Sequence, residues 1–112
     1  MRVEKDIGIT ESFIIYEGPT PLGRGTLDPI TVILRDFGGS GQIIVECYGS
    51  AWSHWFGAIG DKSLKRFLAG CNPGYLADKL LSNTAQPFNQ RTQSWVERIV
   101  FAIHQAINKG VA

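Results

Sequence analysis

Apolar and polar residues alternate through much of the first half of the chain, and this period of two predicts β-strands. The clearest run is ITVILRDF at residues 30–37, where alternate side chains from Ile30 to Leu34 form one apolar face. A glycine-rich link at residues 38–41 leads into a second alternating run, QIIVECYG, at residues 42–49. So short a link between two such runs predicts an antiparallel hairpin.

Two further segments have strand character. SFIIYEG, residues 12–18, predicts a strand before the hairpin. AWSHWF, residues 51–56, is interpreted as a continuation of the second hairpin strand past a bulge near Gly49. Trp52 and Trp55 have an odd spacing, so in a regular strand they cannot share one face of the sheet. One of them is expected to be exposed, where a tryptophan suits a protein interface or self-association.

Helical periodicity replaces the alternation after the strands. Asp61 or Ser63 is expected to cap a first helix, and Gly70 is expected to end it in the left-handed conformation. Asn72 and Pro73 follow at once, and they are typical of the start of a second helix. The second half of the chain therefore begins with two short helices.

The last helix has the strongest periodic signal. Ser94 and Glu97 have the spacing of a capping box, which predicts the helix start, and Gly110 is expected to end it. Residues 83–91 are polar and predict a connection. Strands first and helices afterwards predict one α+β domain over residues 1–112, with an N-terminal antiparallel β-sheet of three to four strands and two or three C-terminal helices packed on one face.

The composition narrows the class of protein. The chain has 112 residues, of which 44% are hydrophobic, as expected of a packed globule. Eleven basic and ten acidic residues give a formal net charge of +1, which provides no general attraction to nucleic acid or to an anionic membrane. No apolar run reaches the roughly 18 residues of a transmembrane helix, and the first ten residues include acids rather than an apolar signal segment. We therefore expect a soluble protein of the cell interior, without membrane contact.

No motif predicts catalysis, a metal or a cofactor. Cys47, His54, Cys71 and His104 match no spacing of zinc ligands. Cys71 precedes a helix start, where a thiolate can be stabilised, but no base and oxyanion site accompany it. We expect a protein that is not an enzyme. A small thiol-dependent enzyme built on Cys71 or His54 stays as an alternative.

The candidate partner-binding residues are basic or aromatic, and most lie close together in the sequence. They are Arg24, Trp52, His54, Trp55, Lys62, Lys65 and Arg66. Arg24 lies in a loop rich in glycine and proline, and loops often carry recognition. The other six combine rings and cations, as in proteins that hold single-stranded nucleic acid, although cations on a helix are often only its solvated face.

Four short motifs lie in the middle of the chain: LDPI at residues 27–30, CYG at 47–49, W-x-x-W-F-G at 52–57 and YLADKL at 75–80. This pattern resembles a group of small, largely uncharacterised proteins encoded by tailed bacteriophages and prophages. Small phage proteins of this kind often bind and block a host factor, including CRISPR-type defence. The resemblance implies no particular catalytic residue, because the matching positions are mostly turn glycines, apolar residues and aromatic residues.

The resemblance sets the expected function and partners. We expect a phage or prophage accessory protein in the host cytoplasm that binds a host protein or protein complex, for example as an anti-CRISPR inhibitor. A nucleic-acid-binding protein that uses the same aromatic and basic residues is the alternative. The predicted sheet has edges that must be covered, and a homodimer is one way to cover them.

Overall fold

A four-stranded antiparallel sheet is followed by three helices in the computed structural model, which describes residues 1–19, 27–82 and 89–110. The elements are β1 (Ile9–Ile15), β2 (Ile30–Asp36), β3 (Gly41–Cys47), β4 (Ser50–Phe56), α1 (Leu64–Gly70), α2 (Pro73–Ser82) and α3 (Gln90–Asn108). Each strand pairs with the next one along the chain, in the order β1-β2-β3-β4. The predicted α+β class is confirmed, with the N-terminal sheet followed by C-terminal helices.

The alternation along the strands divides the sheet into a buried face and a second face. Val32, Val45 and Trp52 lie opposite one another across β2, β3 and β4. The buried apolar side chains of these strands all have this parity: Ile30, Val32, Leu34, Ile43, Val45, Cys47, Trp52 and Phe56. They form one core with the buried residues of the three helices. Each large apolar side chain buried there contributes about 1.5–3 kcal/mol.

The turn between β3 and β4 overturns one prediction. Tyr48 and Gly49 have φ of 51° and 83°, and Cys47 pairs directly with Ser50. Two central residues at positive φ make the two-residue turn that suits the twist of a hairpin. Residues 51–56 therefore belong to a new antiparallel strand, and the predicted continuation past a bulge near Gly49 is wrong.

The ends of α1 are partly as predicted. The Ser63 side chain accepts a hydrogen bond from the Arg66 amide at 3.2 Å, as expected of a cap. Gly70 is the last residue of α1, but its φ is not positive, so the predicted left-handed stop is wrong. The helix ends because Cys71 is extended, with its amide bonded to the Leu68 carbonyl at 3.1 Å.

The start of α2 is confirmed. The Asn72 side chain accepts a hydrogen bond from the Gly74 amide at 2.8 Å, and Pro73 is the first helical residue. Proline at this position costs nothing, because its missing amide hydrogen would have no partner inside the helix. The residue before a proline also favours an extended backbone, which separates α2 from α1.

The start of α3 lies earlier than predicted. Asn89 caps the helix, and its side chain accepts a hydrogen bond from the Arg91 amide at 2.9 Å. Ser94 lies inside the helix, so the predicted capping-box start is wrong. The predicted connection at residues 83–91 is shortened accordingly, and its residues 83–88 lie outside the described residues. Gly110, with φ of 75°, follows the helix end as expected.

The length and hydropathy of the helices indicate whether any of them could span a membrane. In the described part of the chain, no helix has the length and apolar character needed to cross a bilayer.

Candidate functional site

The second face of the sheet, called the open face below, has no covering layer among the described elements. It carries Thr10, Ser12, Ile14, Thr31, Ile33, Arg35, Gln42, Ile44, Glu46, Ala51, Ser53 and Trp55. None of these residues is fully buried, whereas most helix-side residues of β2, β3 and β4 are. Ile33 and Ile44 lie opposite each other at its centre, so this face combines apolar and polar side chains.

Three side chains form a cluster at one end of the open face, and we call Arg35, Phe37 and Trp55 the aromatic corner. The Phe37 and Trp55 rings are 5.4 Å apart between centroids, and the Arg35 guanidinium lies 5.0 Å from the Phe37 centroid. Trp55 is 48% exposed. The strand register explains the cluster, because Gln42 lies between Arg35 and Trp55. The Trp55 ring is thus partly exposed to solvent and partly packed against Phe37.

The chain before β1 is anchored at this corner. Asp6 accepts hydrogen bonds from Arg35 Nε at 2.9 Å and from the Gly8 amide at 2.9 Å. The Gly8 amide, followed by Arg35, lowers the pKa of the Asp6 carboxyl, which keeps it charged. Gly8 also lies so close to Phe37 that a Cβ would come within 2.8 Å of the ring. Phe37 therefore packs against Gly8 as well as against Arg35 and Trp55.

The aromatic residues predicted from the sequence are divided between the two faces. Trp52 is 8% exposed and packs edge-on against Trp95 of α3, with 5.2 Å between the ring centroids. His54 also faces the helices and packs edge-on against Phe56 at 4.6 Å. Burial, and then the charge of Lys79, lowers the pKa of His54. Of these residues only Trp55 reaches the open face, so the prediction that one tryptophan is exposed is confirmed.

The predicted basic residues do not join Trp55 as one cluster. Lys65 lies on α1, on the helix side, and its Nζ is 2.8 Å from the Glu11 carboxylate. Arg66 is exposed on the same helix. Arg24 lies outside the described residues. The open face and α1 are on opposite sides of the sheet, which separates Lys65 and Arg66 from the exposed tryptophan.

Lys62 is the exception, because it lines an open cleft that reaches the aromatic corner. The cleft has a volume of about 680 Å³ and lies between residues 7–9, the β2–β3 turn and residues 60–63. Phe37 is one of the residues that line it, as are Asp36 and Asp61. The cleft thus extends the aromatic corner toward a surface of mixed charge.

The two cysteines lack the environment of a nucleophile. Cys47 is fully buried, and burial raises the pKa of its thiol. Burial also raises the pKa of Cys71, partly offset by the charge of Lys62. A reactive thiolate needs the opposite shift. Within the described ranges, no three side chains of His, Cys, Asp or Glu come together as metal ligands.

Asp6, Arg35 and Phe37 were not among the site residues predicted from the sequence. Arg35 and Phe37 are odd-numbered, like the other residues on the second face of β2, so the alternation alone places them on that face. Their proximity to Trp55 depends on the β3–β4 hairpin, because only a strand that turns back places Trp55 beside Gln42. If β3 had continued through residues 51–56, Trp55 would lie far from Arg35 and Phe37.

The comparisons with known proteins assign the chain to a family. No curated protein and no solved structure matches the chain. A family model described as a phage family does match it, over residues 12–99. This range runs from β1 into α3 and covers most of the chain, so the expected phage origin is confirmed. The chain belongs to the phage family Phage_phiTE_072.

Proposed function

We propose that this phage protein acts without catalysis, by binding a host protein through the open face around the aromatic corner. The observation that carries the proposal is Trp55, which is half exposed on a sheet face that no described helix covers. Tryptophan is among the residues that contribute most to protein interfaces when a partner covers it. An exposed ring of this size is otherwise unfavourable in water.

The side chains of the aromatic corner are also preorganised for binding. Phe37 packs against Trp55, and Gly8 and Arg35 hold Phe37 in turn. A side chain that is already ordered loses less conformational entropy when a partner covers it. The corner therefore favours tight contact with a complementary surface.

The charges of the open face favour a protein over a nucleic acid as the partner. Arg35 is paired with Asp6, at 2.6 Å between Nη2 and the carboxylate. Glu46 adds a negative charge, and its carboxylate accepts a hydrogen bond from the Gly49 amide. Binding to nucleic acid draws its energy largely from cations that neutralise phosphates. The alternative of nucleic-acid binding has little support from a face whose arginine already has a partner.

The phage family suggests where the partner comes from. A protein encoded by a phage acts in a host cell, and host defence is the system that most directly opposes the phage. We therefore propose inhibition of a host-defence complex, of the CRISPR type, as the specific form of this function. The proposal places the protein in the host cytoplasm.

The test uses the substitution Trp55→Ala with Tyr75→Ala as the matched control. Tyr75 is 44% exposed, but it lies on α2 on the helix side, below the Lys79 ammonium. Tagged wild-type protein and both variants are used to capture partners from host lysate, and the affinity for the captured protein is then measured. Loss of a central tryptophan costs about 2 kcal/mol or more, so Trp55→Ala should weaken binding about 30-fold and Tyr75→Ala should not.

A plating assay connects binding to defence. Host cells with active CRISPR immunity should admit a targeted phage when they express the wild-type protein or Tyr75→Ala, but not Trp55→Ala. Equal binding by all three folded proteins would contradict the proposed surface. Capture of nucleic acid, with an affinity that falls steeply as salt rises, would favour the alternative function.

A further inference from the structure

The outer edge of β1 is unpaired among the described elements. β1 is the first strand in the sheet order and pairs only with β2. The pairing runs through all seven residues without a bulge. The strand, ITESFII, contains neither proline nor lysine. Natural sheets often protect an edge with such devices or with charged side chains. The one charge of β1, on Glu11, is paired with Lys65 of the same chain, so the backbone edge stays available to another strand.

The hydrogen-bonding groups that face outward follow from the β2–β3 turn. The Phe37 amide donates to the Ser40 carbonyl at 2.9 Å, so these two residues form a hydrogen-bonded pair. Hydrogen-bonded and non-hydrogen-bonded pairs alternate along an antiparallel ladder. The odd-numbered residues of β2 therefore bond β3, and the even-numbered residues bond β1.

The same alternation extends to β1. Leu34 of β2 is opposite Glu11, so the odd-numbered residues of β1 bond β2. Thr10, Ser12 and Ile14 consequently direct their amide hydrogens and carbonyl oxygens toward the outer edge. Each has both a donor and an acceptor to offer.

We propose that β1 pairs antiparallel with β1 of a second copy of this chain, about a two-fold axis through Ser12. Ser12 is the midpoint of Ile9–Ile15, so this register overlaps the whole strand. Ser12 then lies opposite Ser12 of the partner subunit, and Thr10 lies opposite Ile14 of the partner subunit. Each such pair exchanges two backbone hydrogen bonds. The result is one continuous sheet, with four strands from each copy.

The charge of the strand favours a second copy in this register. Glu11 is the only charged side chain of β1, and it lies opposite Phe13 of the partner subunit. A register centred on Glu11 would oppose two carboxylates, which is destabilising. Glu11 also keeps its ion pair with Lys65 of its own chain. The two Glu11 side chains are then diagonal rather than direct neighbours, and the charge of each is offset by Lys65 of its own chain.

The exposed apolar side chains of the strand gain contacts in the same register. Ile9 is 73% exposed, and it comes to lie opposite Ile15 of the partner subunit. Ile14 is 49% exposed, and it packs beside the partner's Thr10. Cross-strand pairs of this kind stabilise antiparallel ladders. β1 and β4 are at opposite edges of the sheet, so the dimer leaves Trp55 accessible and does not depend on the proposed function.

The first test is the mass of the full chain in solution, measured by light scattering and sedimentation over a range of concentrations. The wild-type protein should be a dimer. Ser12→Pro removes an amide hydrogen that points outward, so it should leave the β1–β2 ladder intact and raise the dimer dissociation constant at least about tenfold. Ser12→Ala keeps that hydrogen and should remain dimeric. Circular dichroism and thermal melting establish that both variants are folded.

The second test does not depend on a variant. Amide hydrogen exchange should be slow at Thr10, Ser12 and Ile14 at high concentration and fast after dilution, while exchange at Glu11 and Phe13 should not change with concentration. A wild-type monomer at every soluble concentration would overturn the inference. So would a dimer that folded Ser12→Pro leaves intact, or a monomer whose β1 pairs only with a segment of a host protein.

Discussion

At the scale of single residues, the position of a side chain along β4 decides whether it belongs to the core or to the surface. Trp52 and Trp55 differ by three positions, which places them on opposite faces of a regular strand. Trp52 packs against Trp95 across the sheet–helix interface, whereas Trp55 packs only one side against Phe37. The two tryptophans should therefore differ sharply in their contributions to stability.

We expect Trp52→Ala to lower the free energy of unfolding by about 3–5 kcal/mol, because it leaves a cavity beside α3. Trp55→Ala should lower it by only about 1–2 kcal/mol, because half of that side chain is already in water. Urea denaturation followed by circular dichroism measures both values. Similar losses for the two variants would show that Trp55 is part of the core.

At the scale of the elements, hydrophobic patterning predicted more than local end signals did. The strands predicted from ITVILRDF and QIIVECYG are confirmed as β2 and β3. Their alternation was a reliable signal because it results directly from burial of one face of the sheet. The turn at Tyr48 and Gly49 was missed, because tyrosine is an unusual residue at positive φ. The start of α3 was also missed, because a good capping box at Ser94 competed with an asparagine five residues earlier.

The candidate site was also only partly predictable from local sequence. Exposure of one tryptophan could be predicted from spacing alone. Its separation from Lys65 could not, because that depends on which side of the sheet α1 packs, and neighbouring residues in sequence can lie on either side. Contacts between distant residues, such as Asp6 with Arg35, carry no local signal at all.

The β3–β4 turn gives a prediction at this scale. Gly49 has φ of 83° and Gly70 is not in the positive-φ region, yet an added Cβ would have open space at both. Gly49→Ala should therefore lower the free energy of unfolding by about 1–2 kcal/mol through backbone strain alone. Gly70→Ala, at the end of a helix, should be neutral or stabilising by up to about 1 kcal/mol. Denaturant midpoints compare the two, and equal effects would contradict the assigned turn.

At the scale of the whole molecule, the groups with shifted pKa values define a range of maximal stability. The pKa of His54 is lowered from its ordinary 6.5, so the unfolded chain takes up the proton first and stability falls as the pH drops through 6.5. The pKa values of Cys47 and Cys71 are raised from 9.0, so the unfolded chain loses its protons first and stability falls as the pH rises through 9.0.

We therefore expect the free energy of unfolding to be greatest between these two values and to decrease on both sides. Chemical denaturation at a series of pH values measures the profile. His54→Gln should reduce the decrease between pH 7 and pH 5, since glutamine does not titrate. An acid side that is unchanged in this variant would mean that other groups cause the decrease.

The order of the elements along the chain has a consequence for synthesis. All four strands precede the helices, so a ribosome releases the complete sheet before it releases α3, whose apolar side covers that sheet. During this interval the nascent chain exposes the isoleucine and valine side chains of the strands that are buried in the folded protein. Because α1 and α2 cover only part of this layer, the rest stays exposed until α3 emerges, and host chaperones have that time to bind it.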